Sequence, residues 1–197
     1  MGQVAGYAQT AGGWDTSRAF IGTTSGPTLI SLPSGWSWSQ ARGINDSGQV
    51  AGSGGPDAFS QQAFIGTTAA STAIPLLPGA YSARAGYFPL NDAGQVVGMS
   101  YRIMGPAGVW IWDPEHGTRE LNDLVPQEWH VFDPESINDK GQILASGVNS
   151  ITHYVGPVLL DPVPEPATGV LLAGGLAVLA VLVRRRRPHR RAGSQCA

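Results

Sequence analysis

Hydrophobic positions over the first 160 residues fall in short runs, cut by polar segments rich in glycine and proline. Three polar segments stand out because the same apolar frame encloses each. Ile44, Leu90 and Ile137 precede them, and Val50, Val96 and Ile143 follow. Between lie Asn45-Asp46-Ser47-Gly48, Asn91-Asp92-Ala93-Gly94 and Asn138-Asp139-Lys140-Gly141. This is the chemistry of a type I turn closing a hairpin. The Asn side-chain oxygen accepts backbone N–H bonds, and Gly at the fourth position takes the left-handed conformation that completes a bulge. The third position is expected in solvent, and the flanking apolar residues are expected to pair across the hairpin on its buried face.

The turns belong to a longer repeat. Gly48, Gly94 and Gly141 are spaced 46 and 47 residues apart. A second element keeps step: "RAFIGTT" at Arg18, "QAFIGTT" at Gln62, "GVWIWDP" at Gly108 and "GPVLLDP" at Gly156. A Leu-Pro or Pro-Gly turn separates the two elements, as in "SLPSG" and "LLPGA". A period of about 45 residues belongs to modular β architectures, and the 27 glycines and 15 prolines suit many short strands. The predicted class is all-β. At the start, "MGQVAGYA" overlays "SGQVAGSG" when Gly2 is set on Gly48, so Met1 falls in a turn whose preceding strand is missing. A truncated start is the expectation, with a decayed first repeat as the alternative. A signal peptide is not visible at that end, which carries little weight if the end is lost.

Charge divides the chain. All 14 Asp and Glu residues lie at or before Glu165, whereas six of the 12 Lys and Arg residues lie after position 183. An acidic body disfavours phosphate backbones, so nucleic acid is not an expected partner. The single cysteine, Cys196, leaves no intrachain disulfide. His116, His130, His153 and His189 lack metal-ligand spacing, and no nucleophile elbow or phosphate-cradling loop is present. "WDPEHG" groups Asp113, Glu115 and His116 but reads as an Asp-Pro turn after a strand. The expectation is a protein with no enzymatic activity and no cofactor. The Asn-Asp pairs admit a calcium reading, since their oxygens are hard ligands, but they lack the alternating acids and distal Glu of an EF-hand loop; turn chemistry is preferred and no metal is assigned. Trp36/Trp38 and Trp110/Trp112, each spaced by two, read as packing pairs on one strand face, with contact to sugar rings as the alternative.

The "AFIGTT…LPSG…GINDSGQVAG" layout resembles the extracellular repeats named for a His-Ala-Phe triplet. The resemblance covers most of residues 1–160, although Arg18 and Gln62 stand where the histidine would be. It implies modules of four short strands, as in propeller blades. Three full copies are too few for a closed ring, so an incomplete propeller-like body is expected, or an open layered β structure.

The end of the chain is organised differently. A proline-rich linker over residues 161–166 holds the box Val163-Pro164-Glu165-Pro166; residues 167–183 carry no charge; Arg184, Arg185, Arg186 and Arg187 open the basic tail 184–197. As a helix the uncharged run spans about 26 Å, near the thickness of a hydrocarbon core, and predicts one transmembrane helix. The arginines would hold the tail on the cytoplasmic side. A buried core helix is the bland alternative. The order of parts is similar to the PEP-CTERM sorting signal, with Pro164, Glu165 and Pro166 matching its box. That resemblance implies processing near the box by exosortase, a membrane-embedded peptidase. It further implies export across the inner membrane of a Gram-negative bacterium that makes exopolysaccharide, and a mature form at the surface or outside the cell. The alternative is a carbohydrate-binding module left permanently tail-anchored in the inner membrane.

Overall fold

The structure, a computed structural model, describes residues 2–9, 16–57 and 59–163. Met1–Pro162 forms one compact unit and Val163–Ala197 a second. The described residues contain strands and a short 3-10 helix, Leu121–Asp123, but no α-helix. The sheets include one that curls into a half-barrel.

The sequence period reappears as four antiparallel meanders. The first holds β1 (Val4–Ala8), β2 (Arg18–Thr23) and β3 (Gly26–Leu29). The second holds β4 (Trp38–Ile44), β5 (Val50–Gly55), β6 (Gln62–Gly66) and β7 (Ser71–Ala73). β8 (Ala80–Leu90), β9 (Val96–Arg102), β10 (Gly108–Asp113) and β11 (Gly117–Glu120) make the third. The last holds β12 (Trp129–Ile137), β13 (Ile143–Asn149) and β14 (Val155–Leu160). A parallel pairing at Ser136 and Phe88 joins the third and fourth into one seven-stranded sheet. β1 occupies the place of β5 and β9, and the first meander has no counterpart of β4 among the described residues.

Each hairpin closes on the expected register. Ile44 pairs with Val50, Leu90 with Val96 and Ile137 with Ile143. Just before each turn the entering strand is irregular: between Ala41 and Gly43, between Ala85 and Leu90, and between Phe132 and Ser136. The bulged residues bend the strand and raise its twist.

The core is a series of layers between meanders. In β5, Val50 packs toward the first meander with Phe64, Ile21 and Ile30, while its neighbour Ala51 packs toward the third with Ile65, Val96 and Trp110. One step on, Val96 faces the second meander and Val97 faces the fourth, where it joins Ile111, Ile137 and Ile143. Successive side chains of a strand point to opposite faces, and here both faces are covered. These strands therefore show a continuous apolar run in place of an apolar–polar alternation. Opposite the aromatic residue of each of the first three copies of the second element stands a glycine: Gly6 pairs with Phe20, Gly52 with Phe64 and Gly98 with Trp110. A Cβ on Gly98 would come within 2.3 Å of the Trp110 ring, so the missing side chain makes room for the aromatic one.

Of the tryptophans paired in sequence, Trp38 and Trp110 are buried, and Trp36 and Trp112 are half-buried against core clusters. Trp36 makes an edge-on contact with Phe64 at 6.3 Å. Trp36 precedes β4 and does not share its strand, so the spacing of two identified a common face only for Trp110 and Trp112. Packing is the role of Trp38 and Trp110, whereas Trp36 and Trp112 keep part of their surface in solvent, and Trp112 lines a cavity with Gln49, Ile65, Thr67 and Pro114.

Candidate functional site

Two places concentrate polar chemistry: the stacked turns, and the point where the chain leaves the last turn. In each turn the geometry is the same. Gly48, Gly94 and Gly141 have φ of +74°, +75° and +75°, and their N–H groups donate to the carbonyls of Asn45, Asn91 and Asn138 at 2.9–3.0 Å. The Asn oxygen accepts the backbone N–H of Gln49, Gln95 and Gln142 at 2.9, 2.9 and 3.0 Å. Its amide nitrogen donates to the same glutamine's Oε1 at 2.8, 2.9 and 2.8 Å. Ser47, Ala93 and Lys140 are exposed.

The turns also bond to one another. Asn45 Nδ2 donates to the carbonyl of Asn91 at 3.1 Å, and Asn91 Nδ2 to that of Asn138 at 3.0 Å. Alongside, the N–H of Asp46 donates to Asp92 Oδ1 at 2.8 Å, and the N–H of Asp92 to Asp139 Oδ1 at 2.9 Å. The three turns thus form a ladder with two rails, and each rung ties one meander to the next. The carboxylates of Asp92 and Asp139 each accept a backbone donor from the preceding turn, which anchors one turn to the next. Among the described residues no group of three or more His, Cys, Asp or Glu side chains is placed to hold a metal ion.

The ladder contains residues that turn chemistry alone does not single out. Gln49, Gln95 and Gln142 complete each Asn's bonding. Gln3, Gln49 and Gln95 reach the glycine of the following turn, where an added Cβ would lie 3.3, 3.4 and 3.5 Å from their Oε1. Their signal in the sequence is the invariant Gly-Gln step of the repeat.

Lateral contacts between entering strands reinforce the stack. The Arg42 guanidinium lies 5.5 Å from the Tyr87 ring centre, and Arg84 approaches Asp133 at 3.6 Å. Asp113, at the end of β10, is a local clasp. Its Oδ1 accepts the backbone N–H groups of Glu115 and His116 at 3.0 and 2.8 Å and lies 2.8 Å from the His116 ring Nδ1. Arg119 donates to its Oδ2 at 2.7 Å. Burial pushes this carboxyl up, but the backbone and ring of His116 and the Arg119 charge outweigh it and hold it below the usual carboxylate value. Arg119 reaches the carboxylate from β11, so Asp113 ties the Asp-Pro turn to the strand that follows it.

At the other place, the body ends on the last rung. Gln142 Nε2 donates to Asp161 Oδ1 at 2.6 Å, and Pro162 lies against Gly141, 3.4 Å from where a Cβ would be. One residue on, Val163 is 85% exposed. Pro164, Glu165, Pro166, the uncharged run 167–183, Arg184 to Arg187 and the rest of the tail lie outside the described residues. Among the described residues no helix is long and apolar enough to cross a membrane.

Comparison with protein families decides what this exit serves. Residues 162–187 match the PEP-CTERM protein-sorting motif. The chain carries the C-terminal signal of exosortase substrates, which implies an exported surface protein that this enzyme processes. The PEP-CTERM match starts at the residue that packs on Gly141, so signal and folded body meet without overlap of more than Pro162. No curated protein and no solved structure matches the chain significantly.

Proposed function

We propose that this is a non-enzymatic exported protein, whose β-repeat body is cargo and whose C-terminal segment is its address. The observation that carries the reading is the junction: the compact unit closes at Pro162, and the sorting motif begins there. A peptidase acting at Val163-Pro164-Glu165-Pro166 would release the body without cutting any strand. Two prolines keep such a segment out of a helix and open to an enzyme's cleft. The run 167–183 serves as the transmembrane helix of the precursor, with Arg184 to Arg187 held on the cytoplasmic side. The mature body resides at the cell surface or in the extracellular matrix, associated with exopolysaccharide.

The repeats are of the His-Ala-Phe type, and each four-stranded meander is a blade of an incomplete, propeller-like body. Support comes from the second and third meanders, each with four antiparallel strands in sequence order. A permanently anchored carbohydrate-binding module is the rival. It keeps Trp36 and Trp112 as candidate platforms but loses Trp38 and Trp110, which are buried.

The test is the mass of the mature C-terminus, recovered from a host that carries exosortase. The expected species ends within or next to residues 163–166 and lacks the arginines. A protein that keeps Ala197 in the membrane fraction would refute processing. Glu165→Ala is expected to accumulate as the full-length precursor.

A further inference from the structure

The groove beside Trp112 lies where the repeat departs from its own pattern. In β2 and β6 the residue two places after the aromatic one is glycine: Gly22 after Phe20, and Gly66 after Phe64. In β10 that place, after Trp110, is taken by Trp112. Successive side chains of a strand alternate in direction, so Trp112 shares the face of Trp110 and looks toward the second meander. There it forms one wall of an open groove of about 440 Å³, against Ile65, Thr67 and Thr72 of the second meander, with Gln49 and Gly94 of the turns beside them. The equivalent groove between the first and second meanders, about 390 Å³, has Ile21, Thr23 and Thr28 in those places and no aromatic residue. The core does not need a side chain there, because the interface before it closes over Phe64 with Gly66 in the same place.

Among the described residues no ionisable side chain lines the groove. Its donors and acceptors are neutral: the hydroxyls of Thr67 and Thr72 and the amide of Gln49. Thr72 is exposed, and neither its hydroxyl nor Gln49 Nε2 has a partner among the described residues, while Gln49 Oε1 is held by Asn45. Across from them stands the ring of Trp112, apolar over a broad flat face. A ligand that satisfies both sides is uncharged, carries hydroxyls around its edge, and has a flat face of C–H groups. A neutral pyranose ring meets all three conditions. We propose that this groove binds a neutral hexose unit of a polysaccharide, with the sugar ring stacked on Trp112 and its hydroxyls bonded to Thr72 and Gln49. The volume is in the range of small-ligand sites. A nucleotide or an acidic sugar would find no cation here to pair with its charge. The proposal rests on the exported reading only for the place where such a polymer is met.

The test is calorimetric titration of the full chain, in a detergent without a sugar headgroup, with cellohexaose, maltohexaose and mannohexaose. At least one of these is expected to bind, at a single site per chain. Trp112→Ala should weaken that binding roughly tenfold or more, the usual loss when a central aromatic anchor is truncated, and Trp112→Phe should restore most of it. Thr72→Val keeps the side-chain shape on the exposed edge strand β7 and removes only the hydroxyl. It should weaken binding about threefold to tenfold, with thermal unfolding unchanged, and it carries the test if Trp112→Ala unfolds. Silence with every sugar up to ~10 mM, beyond millimolar affinity, overturns the proposal. Binding that Trp112→Ala and Thr72→Val leave unchanged overturns it as well. So does a preference for polygalacturonate over the neutral sugars, since charge then governs. Processing is read separately: an intact Ala197 refutes the sorting and leaves the groove, whereas a silent titration refutes the groove and leaves the sorting.

Discussion

Val97 and Leu144 hold the same place in consecutive meanders, as do Ile111 and Leu159, yet the first of each pair is buried and the second is not. The residues differ little in chemistry: leucine is one methylene larger than valine and an isomer of isoleucine. What differs is the neighbour. Burial in a stacked repeat is a property of position in the stack, and the same side chain contributes to stability only where a further module lies over it.

That contrast predicts a hierarchy of effects. Ile111→Ala is expected to lower unfolding free energy by about 2–5 kcal/mol, the usual cost of emptying a filled core site. Leu159→Ala, in dilute solution, should stay within about 0.5 kcal/mol of wild type. Urea denaturation of both variants measures the difference, and equal losses would mean that the last face is covered. Next in size is the ladder. Asn91 is buried and bonds within its turn and across to Asn138, so Asn91→Ala should cost about 1–3 kcal/mol by stranding its partners. Asn138 is exposed and its side chain bonds only within its own turn among the described residues, so Asn138→Ala should cost about 0.5–1.5 kcal/mol. The reverse order would break the account of the ladder as an inter-module tie.

The smallest effect concerns pH. The Asp113 carboxyl is held below its ordinary value, so its contribution to stability is complete above about pH 4 and fades as pH falls below that toward the folded-state value. Asp113→Asn lacks this term. The stability gap between wild type and variant should therefore narrow on acidification from about pH 6 to about pH 3, and a constant gap would assign the clasp no electrostatic role.

Much of the fold was legible because turns are written locally. Asn, Asp and Gly at fixed places announce a hairpin, and the flanking pairs Ile44/Val50, Leu90/Val96 and Ile137/Ile143 follow from it. The ladder was not legible, because its bonds join residues 46 and 47 positions apart and use groups that a lone turn already explains. The direction of stacking was equally hidden. Val50 and Ala51, or Val96 and Val97, are buried on opposite faces, which erases the alternation that would have told one face from the other. Trp36 misled by spacing alone, since it precedes the strand that Trp38 begins. The tail was the opposite case, because an ordered series of box, apolar run and arginines is read by composition and needs no partner in space.

The clasp between Gln142 and Asp161 has a mechanical meaning. Whatever holds the C-terminal segment, a load on it enters the body at one end of the edge strand β14. It meets the Asp161 bond first, and then the backbone pairs from Leu160 toward Val155 in turn. Bonds loaded in series break singly and in order, like the teeth of a zipper. Asp161 is the tab that must be lifted before the first of them opens.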